Sequence, residues 1–179
     1  MILSDITVEI RDRNLNRVGQ IRPEDLNLQA SIRHNNVGTW TLTLSSDHAL
    51  AQLLCDPGAG IIVKGPEDVL FSGPTVGPSF KASKDDPNGT LVIEGVTDDI
   101  VLGDTLAWPE PGNTDPDNQT VTEDTRSGKA ETVIHQFVYN NCGPGAPVAR
   151  RRGGLVMGAD GGRGPDVVKS ARFHVLGTF

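Results

Sequence analysis

A mainly β fold, built as β-barrel or sandwich domains with two short helices, is what the sequence predicts, and three observations carry it. Apolar and polar residues alternate in several short runs, most clearly in Gly38-Thr-Trp-Thr-Leu-Thr-Leu44, where Trp40, Leu42 and Leu44 share one face. The 21 glycines and 12 prolines in 179 residues supply the backbone angles of frequent tight reversals. A helical period occurs in only two stretches, residues 47–54 and 129–139.

Taken in order, Ile6-Thr-Val-Glu-Ile10 predicts a strand, Arg11-Asp12-Arg13-Asn14 a turn, and residues 17–21 a second strand. Residues 26–32 alternate again, and a turn at His34-Asn35-Asn36 leads into the strand that carries Trp40. Its threonines, Thr39, Thr41 and Thr43, are β-branched and polar, as the wet side of a half-buried sheet requires. The short helix of residues 47–54 stops at Pro57-Gly58. Residues 60–63 and 69–72 are expected to form a hairpin, and two further strands, 78–83 and 90–96, flank a turn over Lys84-Asp85-Asp86-Pro87-Asn88-Gly89. About seven strands and one helix thus fill a first domain, residues 1–107.

Residues 108–128 change character. Proline, acid and turn residues dominate, and every charge between Glu110 and Asp124 is negative, which reads as an acidic, proline-rich linker. These acids lack the fixed spacing of a cation site. From residue 129 to 179 the pattern is a helix, in which Val133, Ile134, Phe137 and Val138 recur at helical spacing, followed by a β-hairpin. The hairpin strands are expected at 155–158 and 167–176, around Ala159-Asp160-Gly161-Gly162-Arg163-Gly164-Pro165. About fifty residues make a small core, so this part is expected to be the start of an incomplete second domain ending early at Phe179.

The charge balance, 16 basic against 23 acidic side chains, repels a polyanion overall, so no specific nucleic-acid binding is expected. No apolar run reaches the roughly 18 residues of a membrane span, and Met1-Ile2-Leu3-Ser4-Asp5 lacks the regions of a signal peptide. Synthesis in the cytoplasm and a soluble chain are the expectation. Cys55 and Cys142 stand far apart with no CxxC, which argues for reduced, structural cysteines.

No catalytic constellation emerges, and the chain is expected not to be an enzyme. His34, His48, His135 and His174 are scattered, with no metal-site spacing. Gly-x-Ser-x-Gly is absent, and Ser72 and Ser127 read as turn residues. A carboxylate pair drawn from Glu94, Asp98 and Asp99 fails because adjacent strand residues face opposite sides. The glycine-rich stretches at 57–60 and 158–164 do not precede a helix and lack a P-loop ending, and Asp160 with Asp166 resembles a calcium repeat in one copy only. Catalytic, cofactor and metal residues are therefore all expected to be none. One cluster remains: Arg150, Arg151 and Arg152, the candidate contact with an acidic partner.

The order of motifs carries more than any one of them. Val8-Glu-Ile-Arg-Asp-Arg-Asn-Leu-Asn-Arg-Val-Gly19, Asn36-Val-Gly-Thr-Trp-Thr-Leu-Thr-Leu44, Asp47-His48-Ala49, Pro57-Gly-Ala-Gly-Ile-Ile-Val63 and Phe71-Ser-Gly-Pro74 together resemble the N-terminal part of actinobacterial siphophage minor tail proteins. Gly95-Val-Thr-Asp-Asp-Ile100, Leu106-Ala-Trp-Pro109, Gly143-Pro-Gly-Ala146 and Ser170-Ala-Arg-Phe173 extend the resemblance over nearly the whole chain. That family is the tail-tip or baseplate hub. The resemblance implies a phage tail hub-like fold, a structural virion protein at the tail tip that closes the tail tube, and a homotrimer without cofactors. It implies as partners the distal tail protein, the tape-measure protein and receptor-binding or fibre proteins, with roles in host attachment and DNA ejection. An acidic lumen would suit DNA passage by repelling the polyanion.

Two other classes remain open at this point. A carbohydrate-binding or host-adhesion module would stack sugars on exposed aromatics such as Trp108 or Tyr139, although only 4% of residues are aromatic. The chain would alternatively be the non-catalytic part of a tail-associated cell-wall hydrolase.

Overall fold

Alternating side chains build most of this protein by pairing strands whose apolar faces meet. The computed structural model describes residues 6–34, 36–82, 84 and 88–178. The expectations for Met1 to Asp5, for Asn35, for Ser83, for Asp85-Asp86-Pro87 and for the stop at Phe179 lie outside the described residues. The chain divides into two units, Met1–Ile100 and Val101–Phe179.

The first unit contains β1 (Thr7–Arg11), β2 (Arg17–Ile21), β3 (Asn27–Ser31), β4 (Thr39–Ser45), α1 (Ala51–Leu54), β5 (Gly60–Lys64), β6 (Val69–Lys81) and β7 (Thr90–Val96). The seven strands form one antiparallel sheet in the order β2-β1-β5-β6-β7-β4-β3. Register places Val8 opposite Val63 and Ile10 opposite Ile61 in one half. In the other half Trp40 lies opposite Gly95, Leu42 opposite Ile93 and Leu44 opposite Leu91. All of these apolar side chains, with Ala51 and Leu54 of α1, belong to one buried cluster. The sheet therefore folds over on itself, and its two halves share a core as sandwich layers do.

The fold-over lies in β6. Residues from Val69 to Pro74 pair with β5, and residues from Thr75 to Lys81 pair with β7 after a register shift between Thr75 and Gly77. The two strands expected at 69–72 and 78–83 are thus one strand of 13 residues. Pro74 and Gly77 flank the point where the strand changes partner. At Gly73 the backbone passes so close to the Val96 carbonyl that any side chain would collide with it.

The first helix is shorter than its expected eight residues, because residues 46–50 form turns in which Ala51 N donates to His48 O at 2.9 Å. The Asn-Gly signal ends where expected: Gly89 takes a φ of 80° and its carbonyl accepts from Ser46 N at 3.1 Å.

The second unit holds α2 (Ile100–Gly103, which begins at the boundary), β8 (Leu106–Ala107), β9 (Asp124–Lys129), α3 (Ala130–Asn141), β10 (Asp166–Ala171) and β11 (His174–Val175). Of the four helix residues expected to pack, Val133, Phe137 and Val138 are buried with Ala107, Cys142, Ala171 and Leu176, whereas Ile134 is exposed. The four-residue α2 was not expected. None of the described helices is long and apolar enough to cross a membrane.

Two expectations are corrected here. The hairpin of 155–158 with 167–176 does not form: β10 pairs with β9, and 155–158 joins no ladder, with Leu155 and Met157 on the α3 cluster while Val156 is 87% exposed. Alternation looks the same whether an extended segment joins a ladder or covers a helix, and β9, Asp-Thr-Arg-Ser-Gly-Lys, has no apolar residue to reveal itself. Residues 108–128 are likewise not a linker between units, since they lie inside the second unit and their last five residues belong to β9.

Candidate functional site

The arginine cluster follows a single 3-10 turn, Val148–Arg150, which starts after Pro147 and is closed by Arg150 N donating to Pro147 O at 2.8 Å. Arg152 N then bonds Cys142 O at 2.9 Å, which ties the segment to the end of α3. The side chains line a groove of about 300 Å³ with Asp104, Thr105, Leu106, Trp108, Asn141 and Ala149.

Each guanidinium has a defined seat. Arg150 lies 4.1 Å above the Trp108 ring and donates through Nη2 to Pro111 O. Its Nε and Nη1 are buried and find no hydrogen-bond partner among the described residues, and burial holds its pKa below the ordinary guanidinium value. Arg151 donates from Nε to Ala146 O at 2.8 Å. Arg152 reaches Thr105 Oγ1 at 3.4 Å and Asp104 O at 3.2 Å. Asn141, 1% exposed, lines the floor by accepting from Trp108 N at 2.8 Å and donating to Phe137 O at 2.9 Å. Among the described residues no carboxylate pairs with any of the three arginines. The structure thus brings all three together, but as groups partly spent on tying their segment to residues 104–111 and to Ala146.

The other candidates are occupied or stand apart. Asp98 binds Arg11 and Ser72, Asp99 accepts from Thr97 Oγ1 at 2.8 Å, and Glu94 is exposed on β7. Asp160 accepts from Thr132 Oγ1 and Gly162 N, while Asp166 pairs with Lys129, so the two do not share a site. No cluster of three His, Cys, Asp or Glu fit to hold a metal exists among the described residues. Cys142 is buried, its thiol pushed up by burial, and both cysteines are free.

The aromatics offer little platform for a sugar. Trp108 is covered by Arg150 on a face and met edge-on by Phe173 at 5.8 Å. Tyr139 stacks on His135, with Gly145 packed against its ring.

Two features escaped the sequence reading. The glycine-rich loop of 158–164 does meet a helix start, through space: Ala130 N donates to Pro165 O and Glu131 N to Arg163 O. These carbonyls satisfy α3's first donors and leave no phosphate cradle. Arg163 in turn grips Glu131 with Nε and Nη2 at 2.9 and 2.7 Å, which holds that carboxyl at about 2. The acidic loop, secondly, is ordered from within. Glu110 Oε2 accepts from Thr120 N and Oγ1 at 3.1 Å and from Asn113 Nδ2 at 3.2 Å, and these bonds lower its pKa.

No curated protein matches this chain. The family model of the siphovirus ReqiPepy6 Gp37-like proteins matches residues 7–179, and the chain belongs to that family of siphovirus proteins.

Proposed function

We propose that this siphophage protein is a structural, non-enzymatic component of the virion, acting at the tail tip as part of the hub that closes the tail tube. The observation that carries the reading is the siphovirus family match over residues 7–179. Supporting it, Asp98, Asp99 and Asp166, weighed above for chemistry, are engaged by Arg11, Thr97 and Lys129 within the fold. The partners of this role are further copies of the chain as a homotrimer, the distal tail protein, the tape-measure protein and receptor-binding or fibre proteins.

Electron microscopy of virions labelled with an antibody to this chain tests the reading. Label confined to the end of the tail is expected. Label on the capsid, or a protein missing from purified virions, would overturn it.

A further inference from the structure

Among the described residues Arg11, Arg17, Arg22, Lys64, Arg126, Lys129 and Arg163 pair with acids. The three groove arginines do not. They lie side by side with no carboxylate partner among the described residues, and Arg150 carries two shielded, unbonded nitrogens. The loop that begins beside them has the opposite excess. Asp115, Asp117 and Glu123 are exposed, and among the described residues none pairs with a cation. Pro111, at the base of this loop, touches Arg150, yet the three acids are not among the residues lining the groove.

A basic groove beside an acidic loop that does not fill it offers the two halves of a charge contact between copies, the groove of one receiving the loop of the next, as a closed ring requires. We infer that the groove of Arg150, Arg151 and Arg152 receives the acidic loop of a second copy of this chain, through Asp117 and Glu123. The contact rests on the assembly reading only in requiring that copies meet. Net repulsion between copies of charge −7 does not prevent it. At about 0.15 M salt the Debye length is roughly 8 Å, so distant charges are screened while those in contact are not.

Sedimentation velocity of the full chain tests the contact with three variants: R151E, D117K/E123K, and the combined R151E/D117K/E123K. Each reversal alone is expected to weaken self-association roughly tenfold or more, and the combined variant to restore it. Because Arg151 also bonds Ala146 O, circular dichroism first checks that R151E folds; the acidic-side variant, altered at exposed positions, carries the test if it does not. Wild-type self-association unchanged in D117K/E123K, or a combined variant no better than the single reversals, would overturn the contact while leaving the tail-tip reading to the labelling experiment. A wild-type chain that stays monomeric would overturn it as well.

Discussion

Arg11 and Asp98, 87 positions apart, form an ion pair with Nη2 2.5 Å from Oδ1. The second carboxylate oxygen of Asp98 accepts from Ser72 Oγ, and its backbone N donates to Ser72 O at 2.9 Å. One carboxylate thus joins β1, β6 near the fold-over and the chain leaving β7. The partners are unequally exposed, 8% for the Arg11 side chain and 41% for Asp98.

That inequality predicts an asymmetric cost. In Arg11→Met the stem packing survives and water can solvate the freed carboxylate, so the loss is about 1–2 kcal/mol. Asp98→Ala strands a guanidinium that water reaches poorly and costs more, roughly 2–4 kcal/mol. Urea unfolding of both variants reads the difference; equal losses, or the reverse order, would contradict the account.

Trp40 predicts the effect of a single methyl group. Its indole is 1% exposed, lies over Gly95, and donates from Nε1 to Val96 O at 3.0 Å. A Cβ at position 95 would overlap the ring, so Gly95→Ala is expected to cost about 1–3 kcal/mol and to shift the tryptophan emission to the red. A melting temperature and an emission maximum equal to wild type would show that the ring can move aside.

The Glu131–Arg163 clamp predicts a pH dependence in the second unit. Its carboxyl titrates at about 2 when folded against an ordinary 4.5. A carboxyl depressed by folding contributes stability that is complete above the unfolded value and is lost as pH falls from 4.5 toward about 2. Glu131→Gln should remove this contribution, leaving a shallower decline over that window. Carbon-detected NMR titration of Glu131 gives the direct check: a midpoint near 4.5 would mean that the clamp is not formed in solution.

β1, β4, β5 and β7 were legible because one face of each is buried, and period-two alternation records that directly. Val8 and Ile10, Trp40, Leu42 and Leu44, and Ile61 and Val63 point to the core as their spacing requires. The join between 69–72 and 78–83 was not legible, since Pro74 and Gly77 signal an interruption and not a change of partner. In the second unit the arginine cluster was visible as composition, but its groove depends on Trp108, some forty residues earlier, and on Asn141 at the end of α3.

By itself the sequence determined the β character of the chain, the positions of most strands, the one long helix and the absence of a familiar catalytic motif. These are properties of neighbouring residues, written in periods of two and 3.6. Only the tertiary structure decided which strand pairs with which, that β9 and not the 155–158 segment completes β10, and which charges end up paired. Pairing and burial are set by residues far apart in the chain, and the local pattern of an extended segment is the same whatever it lies against.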